Sequence, residues 1–209
     1  MVGLTLSPVQ PLLARLPETL ASAARAAQAG PTLWYLTRAT AVAAYIALTL
    51  SVILGMLRTV GRQASERVSW VVDELHQVMA VLAGVLVAAH LLSILFDSYI
   101  PFSLGDLLLP FSEPYREPYT RLGVFAMYGM ALVLFSTWLR RRISYRLWRS
   151  IHYVSLVAFA LATAHGIFTG SDVDEPWMRA VYGASAAIVA FLVLVRLFAG
   201  APATMRSQA

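Results

Sequence analysis

The sequence predicts an all-α integral membrane helical bundle, with five transmembrane helices and an N-terminal amphipathic segment. Two observations predict it. Hydrophobic residues make up 59% of the 209 residues and charged residues 13%, where a soluble domain has ~45–50% and ~25%; mean hydropathy is +0.68. Five apolar stretches also approach the roughly 20 residues that cross a ~30 Å hydrocarbon core as a helix.

The elements follow in order. Ser7-Pro8 suits a helix start, and Leu12, Leu13, Leu16 and Leu20 recur at helical spacing with Arg15, Glu18 and Arg25 on other faces. Residues 1–31 therefore read as an interfacial amphipathic segment, ended by Gly30-Pro31. They lack the basic start and continuous apolar run of a signal peptide. The spans lie at about 36–57, 75–96, 122–139, 151–168 and 178–198. Apart from boundary Arg38, Arg179 and Arg196, none contains Lys, Arg, Asp or Glu. Residues 32–198 form the membrane domain and 199–209 a C-terminal tail. Residues 97–120 hold Pro101, Pro110, Pro114 and Pro118 among Tyr99, Phe102, Phe111, Tyr115 and Tyr119, a composition expected to fold over one mouth of the bundle.

Charge placement predicts orientation. Arg58, Arg62 and Arg67 share one side with Arg140, Arg141, Arg142, Arg146, Arg149 and the C-terminal Arg206. The other side carries Asp97, Asp106, Glu113, Glu117, Asp172, Asp174 and Glu175. The N-terminus is expected outside and the C-terminus in the cytoplasm. The net charge of +5 reflects this asymmetry and implies no nucleic acid partner. The absence of cysteine excludes disulfides, thiolate metal sites and cysteine-ligated clusters. All sixteen basic residues are arginine, which composition bias explains better than function.

Only four histidines occur, and all lie in the spans: His76 and His90, 14 residues apart, and His152 and His165, 13 apart. A histidine in hydrocarbon is expensive and marks a functional site by default. At ~1.5 Å rise per residue these separations are ~21 and ~20 Å. The two histidine helices run parallel, so His76 pairs with His152 and His90 with His165. Each pair is expected to supply both axial ligands of one haem iron, making these four the metal-binding residues and two haem b groups the cofactors. Zinc and copper sites gather three or four ligands close together, which pairs ~20 Å apart do not. Phase is less regular: His76 and His90 lie within ~40° of one face, whereas His152 and His165 differ by ~140° on an ideal helix. The second pair needs tilt, supercoiling or a local irregularity. Small residues between the ligands, Gly84 on one helix and Ser155, Ala158, Ala160, Ala162 and Thr163 on the other, admit a flat ring or a neighbouring helix. A haem with both axial positions filled passes electrons one at a time, so the expected function is transmembrane electron transfer.

At this point the chain resembles the ferric reductase-like transmembrane domain. That family includes the haem domains of NADPH oxidases and ferric-chelate reductases, and the haem subunit of the bacterial periplasmic methionine sulfoxide reductase system. The resemblance rests on ELHQVMAVLAGVLVAAH around the first pair and YRLWRSIHYVSLVAFALATAHG around the second, with Trp148 before His152 and Gly166 after His165. LTRATAVAAYIALTLSVILGML resembles the preceding family helix. The resemblance covers about residues 32–198. It implies Arg38 as a partner of haem propionates, beside the plainer reading of a helix-end arginine, and the bacterial inner membrane as location. The chain departs from the family in two ways. The extra N-terminal span is replaced by the short amphipathic segment. Only eleven residues follow Phe198, with no GxGxxG loop. Electrons are therefore expected from a cytoplasmic flavoprotein or from quinol, with any flavin or quinone supplied by the partner or the membrane.

The expected role is the membrane subunit of an oxidoreductase, in contact with the lipid bilayer and passing electrons to an extracytoplasmic acceptor. The five-arginine loop would dock an acidic flavoprotein or meet anionic lipid. One alternative is a stand-alone ferric-chelate or oxygen reductase acting at the outer haem. The other is a haem-free transporter or scaffold, against which the lack of Asp or Glu inside the spans argues.

Overall fold

The computed structural model of this chain describes residues 17, 18, 20, 32–60, 66–97, 102–111 and 115–198. Apart from Pro17, Glu18 and Leu20, the expected amphipathic segment lies outside the described residues, as does the tail at 199–209. From Thr32 onward the described elements are α1 (Thr32–Val60), α2 (Glu66–Phe96), α3 (Leu104–Leu108), α4 (Glu117–Trp138), α5 (Tyr145–His152), α6 (Val154–Thr169) and α7 (Pro176–Phe198). There is no strand among the described residues. Five segments are long and apolar enough to cross a membrane, with α5 and α6 together making the fourth. The chain is an integral membrane protein of the expected all-α class.

Helices α2 and α5 start earlier than the apolar pattern suggests. Arg67, Trp70, Tyr145 and Trp148 extend them beyond the hydrocarbon stretch, where charged and aromatic side chains suit the interface. Ser144 caps α5 by accepting from the Leu147 N–H at 3.3 Å. The 97–120 region contains the helix α3, which the composition did not suggest. Ser103 and Asp106 close it with a reciprocal capping box. Phe102 and Leu107 are buried, and Arg116 donates to the Phe168 carbonyl at 2.7 Å, tying the start of α4 to the end of α6.

Helices pack as two antiparallel hairpins, α1 with α2 and α4 with α6, and α7 leans on α1. Thr37 Oγ1 donates to Ser93 Oγ at 2.8 Å across the first hairpin. In the second, a Cβ at Gly129 would lie 3.1 Å from the Ala158 Cβ, so glycine sets how closely α4 and α6 approach. An apolar cluster of Tyr45, Val52, Met56, Phe159, Met178, Tyr182, Val189 and Leu192 joins α1, α6 and α7. The outer face of α2 leaves Val78, Val81, Val85 and Leu92 more than half exposed. In water that stripe would be an aggregation surface; in hydrocarbon it is the natural exterior.

The helix carrying the second histidine pair is interrupted. Tyr153 separates α5 from α6, and the Leu156 N–H donates to the Tyr153 carbonyl three residues back, at 3.1 Å. The Tyr153 hydroxyl accepts from Arg149 Nε at 3.0 Å and from an Arg196 terminal nitrogen at 2.9 Å. Tyr153 itself keeps right-handed helical dihedrals (φ −64°, ψ −19°), and its N–H donates to the Arg149 carbonyl at 3.3 Å, so the irregularity is local.

Gly129→Leu should force α4 from α6 and destabilise the bundle by about 1–3 kcal/mol. At Gly183, where nothing lies within 4 Å of an added Cβ, Gly→Ala should be neutral or stabilising by up to ~1 kcal/mol. Thermal unfolding of both variants in one detergent checks the pair; equal midpoints would contradict the close approach.

Candidate cofactor site

Three of the four imidazoles are held in the same way. His76 Nδ1 lies 2.8 Å from the Ser51 carbonyl, His90 Nδ1 3.0 Å from that of Thr37, and His165 Nδ1 3.0 Å from that of Tyr119. A carbonyl only accepts, so the hydrogen sits on Nδ1, and in the neutral ring Nε2 keeps its lone pair. Fixing the tautomer through the far nitrogen is how proteins orient a metal-ligating histidine and raise its basicity.

Those carbonyls belong to helices, and the sequence uncovers them. A helical side chain covers the turn on the N-terminal side of its own Cα, so residue i+4 lies over the carbonyl of residue i. Four residues after Ser51 stands Gly55; four after Tyr119 stands Gly123. A Cβ at Gly55 would come 3.0 Å from the His76 ring, and one at Gly123 would come 2.8 Å from the His165 ring. Four residues after Thr37 stands Ala41, the smallest side chain. These positions were missed from sequence. The available signal is an isolated glycine inside a helical pattern, which Gly84 and Gly166 share. A Cβ at Gly84 would meet Leu134 of α4, so Gly84 serves helix packing. Gly166 receives the Tyr182 hydroxyl.

His152 is different. Its Nδ1 is buried with no hydrogen-bond partner among the described residues, and its ring stacks on Trp148, with centroids 5.0 Å apart at 29°. The His76 and His152 ring centroids lie 6.0 Å apart. Two metal–nitrogen bonds of ~2.0 Å, plus ~1.1 Å from each ring nitrogen to its centroid, require ~6 Å. The spacing thus suits one metal ion between the two imidazoles.

His90 and His165 line one cavity of about 470 Å³ between the two hairpins, within the range of about 300–1,000 Å³ usual for ligand and cofactor sites. Helices α2 and α6 make little direct contact, which leaves this space. Leu48, Val87, Leu91, Met127 and Met130 give it an apolar wall, and Arg38, Asp97, Asp106 and Asp172 also line it. Arg38 is paired with Asp172 through Nε, at 3.0 Å, and through one terminal nitrogen, and it stacks over Trp34 at 4.1 Å. Its other terminal nitrogen has no side-chain partner among the described residues. Among the described residues no three His, Asp or Glu converge on one point. The cavity lined by His90 and His165, and a His76–His152 spacing that suits bis-imidazole ligation, fit haem.

A family model described as "Ferric reductase like transmembrane component" matches residues 40–163, and the chain belongs to that family. Its members generally bind haem, and membership points to transmembrane electron transfer. The matched stretch contains His76, His90 and His152 and stops two residues before His165. No curated protein and no solved structure matches the chain.

Gly123→Ala should push the His165 ring off the Tyr119 carbonyl. The loss of such an anchor costs roughly 10–100-fold in metal affinity. Haem retained per polypeptide after prolonged dialysis measures it; retention equal to the parent would show that the anchor is dispensable.

Proposed function

We propose that this family member carries electrons across the bacterial inner membrane on two haem b groups, as the membrane subunit of an oxidoreductase. His76 and His152 would hold one haem near the arginine-rich end, and His90 and His165 the other near the acidic end. The observation that carries the reading is the repeated Nδ1–carbonyl anchor, which readies three imidazoles to donate from Nε2. When bound, such a haem would take up and release one electron at a time.

The chain's own residues supply the rest. Gly55, Gly123 and Ala41 give the imidazoles access to their carbonyl anchors. Leu48, Val87, Leu91, Met127 and Met130 offer a macrocycle apolar contact around His90 and His165. The remaining terminal nitrogen of Arg38 is available to a propionate, with Asp172 and Trp34 setting the guanidinium plane.

Arginine distribution supports an outside N-terminus and a cytoplasmic C-terminus. The donor is then a cytoplasmic flavoprotein or membrane quinol at the His76/His152 end. The acceptor lies outside, at the His90/His165 end.

Single alanine variants test the pairing by haem quantitation and reduced-minus-oxidised spectra. His76→Ala and His152→Ala should each remove the same haem, and His90→Ala and His165→Ala the other. Two haems surviving in all four variants would end this reading.

A further inference from the structure

One described segment between the spans has two unlike faces. Residues 102–111 carry α3, between α2 and α4. Phe102 and Leu107 are buried and line the cavity between the hairpins, and Asp106 lines it as well. The other face is bare. Leu104, Leu109 and Phe111 are each more than half exposed, and Leu108 nearly so. Ser103 is the one polar residue exposed beside them.

What meets that apolar face follows from its depth. The Leu108 carbonyl accepts from the Tyr128 hydroxyl. Tyr128 belongs to a stripe of α4, with Phe125, Leu132 and Phe135, that is exposed at helical spacing. Helix α3 therefore rests on the outside of the bundle. Arg116, at the head of α4, reaches the Phe168 carbonyl near the end of α6, which marks the acidic end. Tyr128 stands twelve residues beyond Arg116. At ~1.5 Å per residue, less about one turn for a side chain that leans toward the helix N-terminus, its hydroxyl lies roughly 12 Å inside that end. The 22 residues of α4 make ~33 Å, against a hydrocarbon core of ~30 Å, so this depth is inside lipid. It is also the level at which Gly123 meets the His165 ring.

A segment at that depth must satisfy its own backbone. The Ser103 N–H donates to Asp106 Oδ2 at 2.7 Å, and the Asp106 N–H to Ser103 Oγ at 3.2 Å. The Leu107 N–H donates to the Ser103 carbonyl at 3.2 Å, and the Leu109 N–H to the Gly105 carbonyl at 2.7 Å. Pro110 has no N–H to place. Asp106, the one charged residue of 102–111, is on the cavity side, where a membrane protein tolerates it. We propose that residues 102–111 are a re-entrant element whose partner is the bilayer itself. Leu104, Leu108, Leu109 and Phe111 are immersed in acyl chains, and Tyr128 holds them against α4. Phe102 and Leu107 form the wall between that lipid and the cavity.

The chain has no native cysteine, so a nitroxide label on a single introduced cysteine reports one position. Leu104→Cys and Leu109→Cys are labelled in the full chain and reconstituted into phospholipid vesicles. Val85→Cys, on the exposed stripe of α2, and Glu175→Cys, in the acidic loop before α7, serve as references. Power saturation then measures collision with oxygen, which concentrates in the bilayer, and with a water-soluble nickel chelate. The labels at 104 and 109 should behave as that of Val85→Cys, with oxygen collisions dominant. Adding Tyr128→Phe should shift the label of Leu109→Cys toward the nickel chelate and leave that of Val85→Cys unchanged. Collisions dominated by nickel, as for Glu175→Cys, would make α3 a water-facing cap and overturn the proposal. Low collision with both agents, the mark of a covering protein, would overturn it too. A Leu109→Cys label unmoved by Tyr128→Phe would overturn the role of Tyr128. The labels report position whether or not a haem is bound.

Discussion

The structure depends on how an imidazole can be buried in a membrane. A polar ring nitrogen without a partner costs about 1–3 kcal/mol when buried, and hydrocarbon offers no water to supply one. Here the partner is a helix carbonyl on the adjacent antiparallel helix. That carbonyl already serves its own helix, so it accepts a second donor only where the side chain one turn on is missing or minimal. Gly55, Gly123 and Ala41 meet that condition. This constraint reaches well beyond the site. It obliges α1 to lie against α2 and α4 against α6 with small residues at the seam, so each hairpin is organised around its histidines. The histidine helices α2 and α6 are then drawn to their own partners, and the space between them is the cavity.

The two ends of the bundle are consequently unequal. At the acidic end both histidines are anchored to carbonyls, and the cavity is walled by aliphatic and methionine side chains. At the arginine-rich end one histidine is anchored and the other rests against an indole. The Tyr153 hydroxyl, next to His152, accepts from Arg149 and Arg196. His152 lies beside His76, while His165 lines the cavity with His90.

Much of this was legible in the residues. Span number follows from apolar runs because lipid forbids unsatisfied backbone, and only closed helices of sufficient length answer that demand. Four histidines in an otherwise apolar setting identify themselves by cost alone. Helix ends were read too short because interfacial Trp, Tyr and Arg continue a helix after the apolar pattern stops. Helix α3 was missed because five residues are too few to show a period. For Arg38 the residues offer a propionate partner by resemblance or a plain helix-end arginine; the fold adds its pairing with Asp172, a residue 134 positions away, which no local pattern reveals.

By itself, the sequence determined the membrane class, the five spans, the charge asymmetry between their ends and the placing of all four histidines within the spans. These properties depend on composition and on spacing along a regular helix. Only the tertiary structure decided which carbonyls meet His76, His90 and His165 and which glycines pack against imidazole rings and which against other helices. Each of these is a contact between separate helices, set by the angle and depth at which they pack, and a one-dimensional period carries neither.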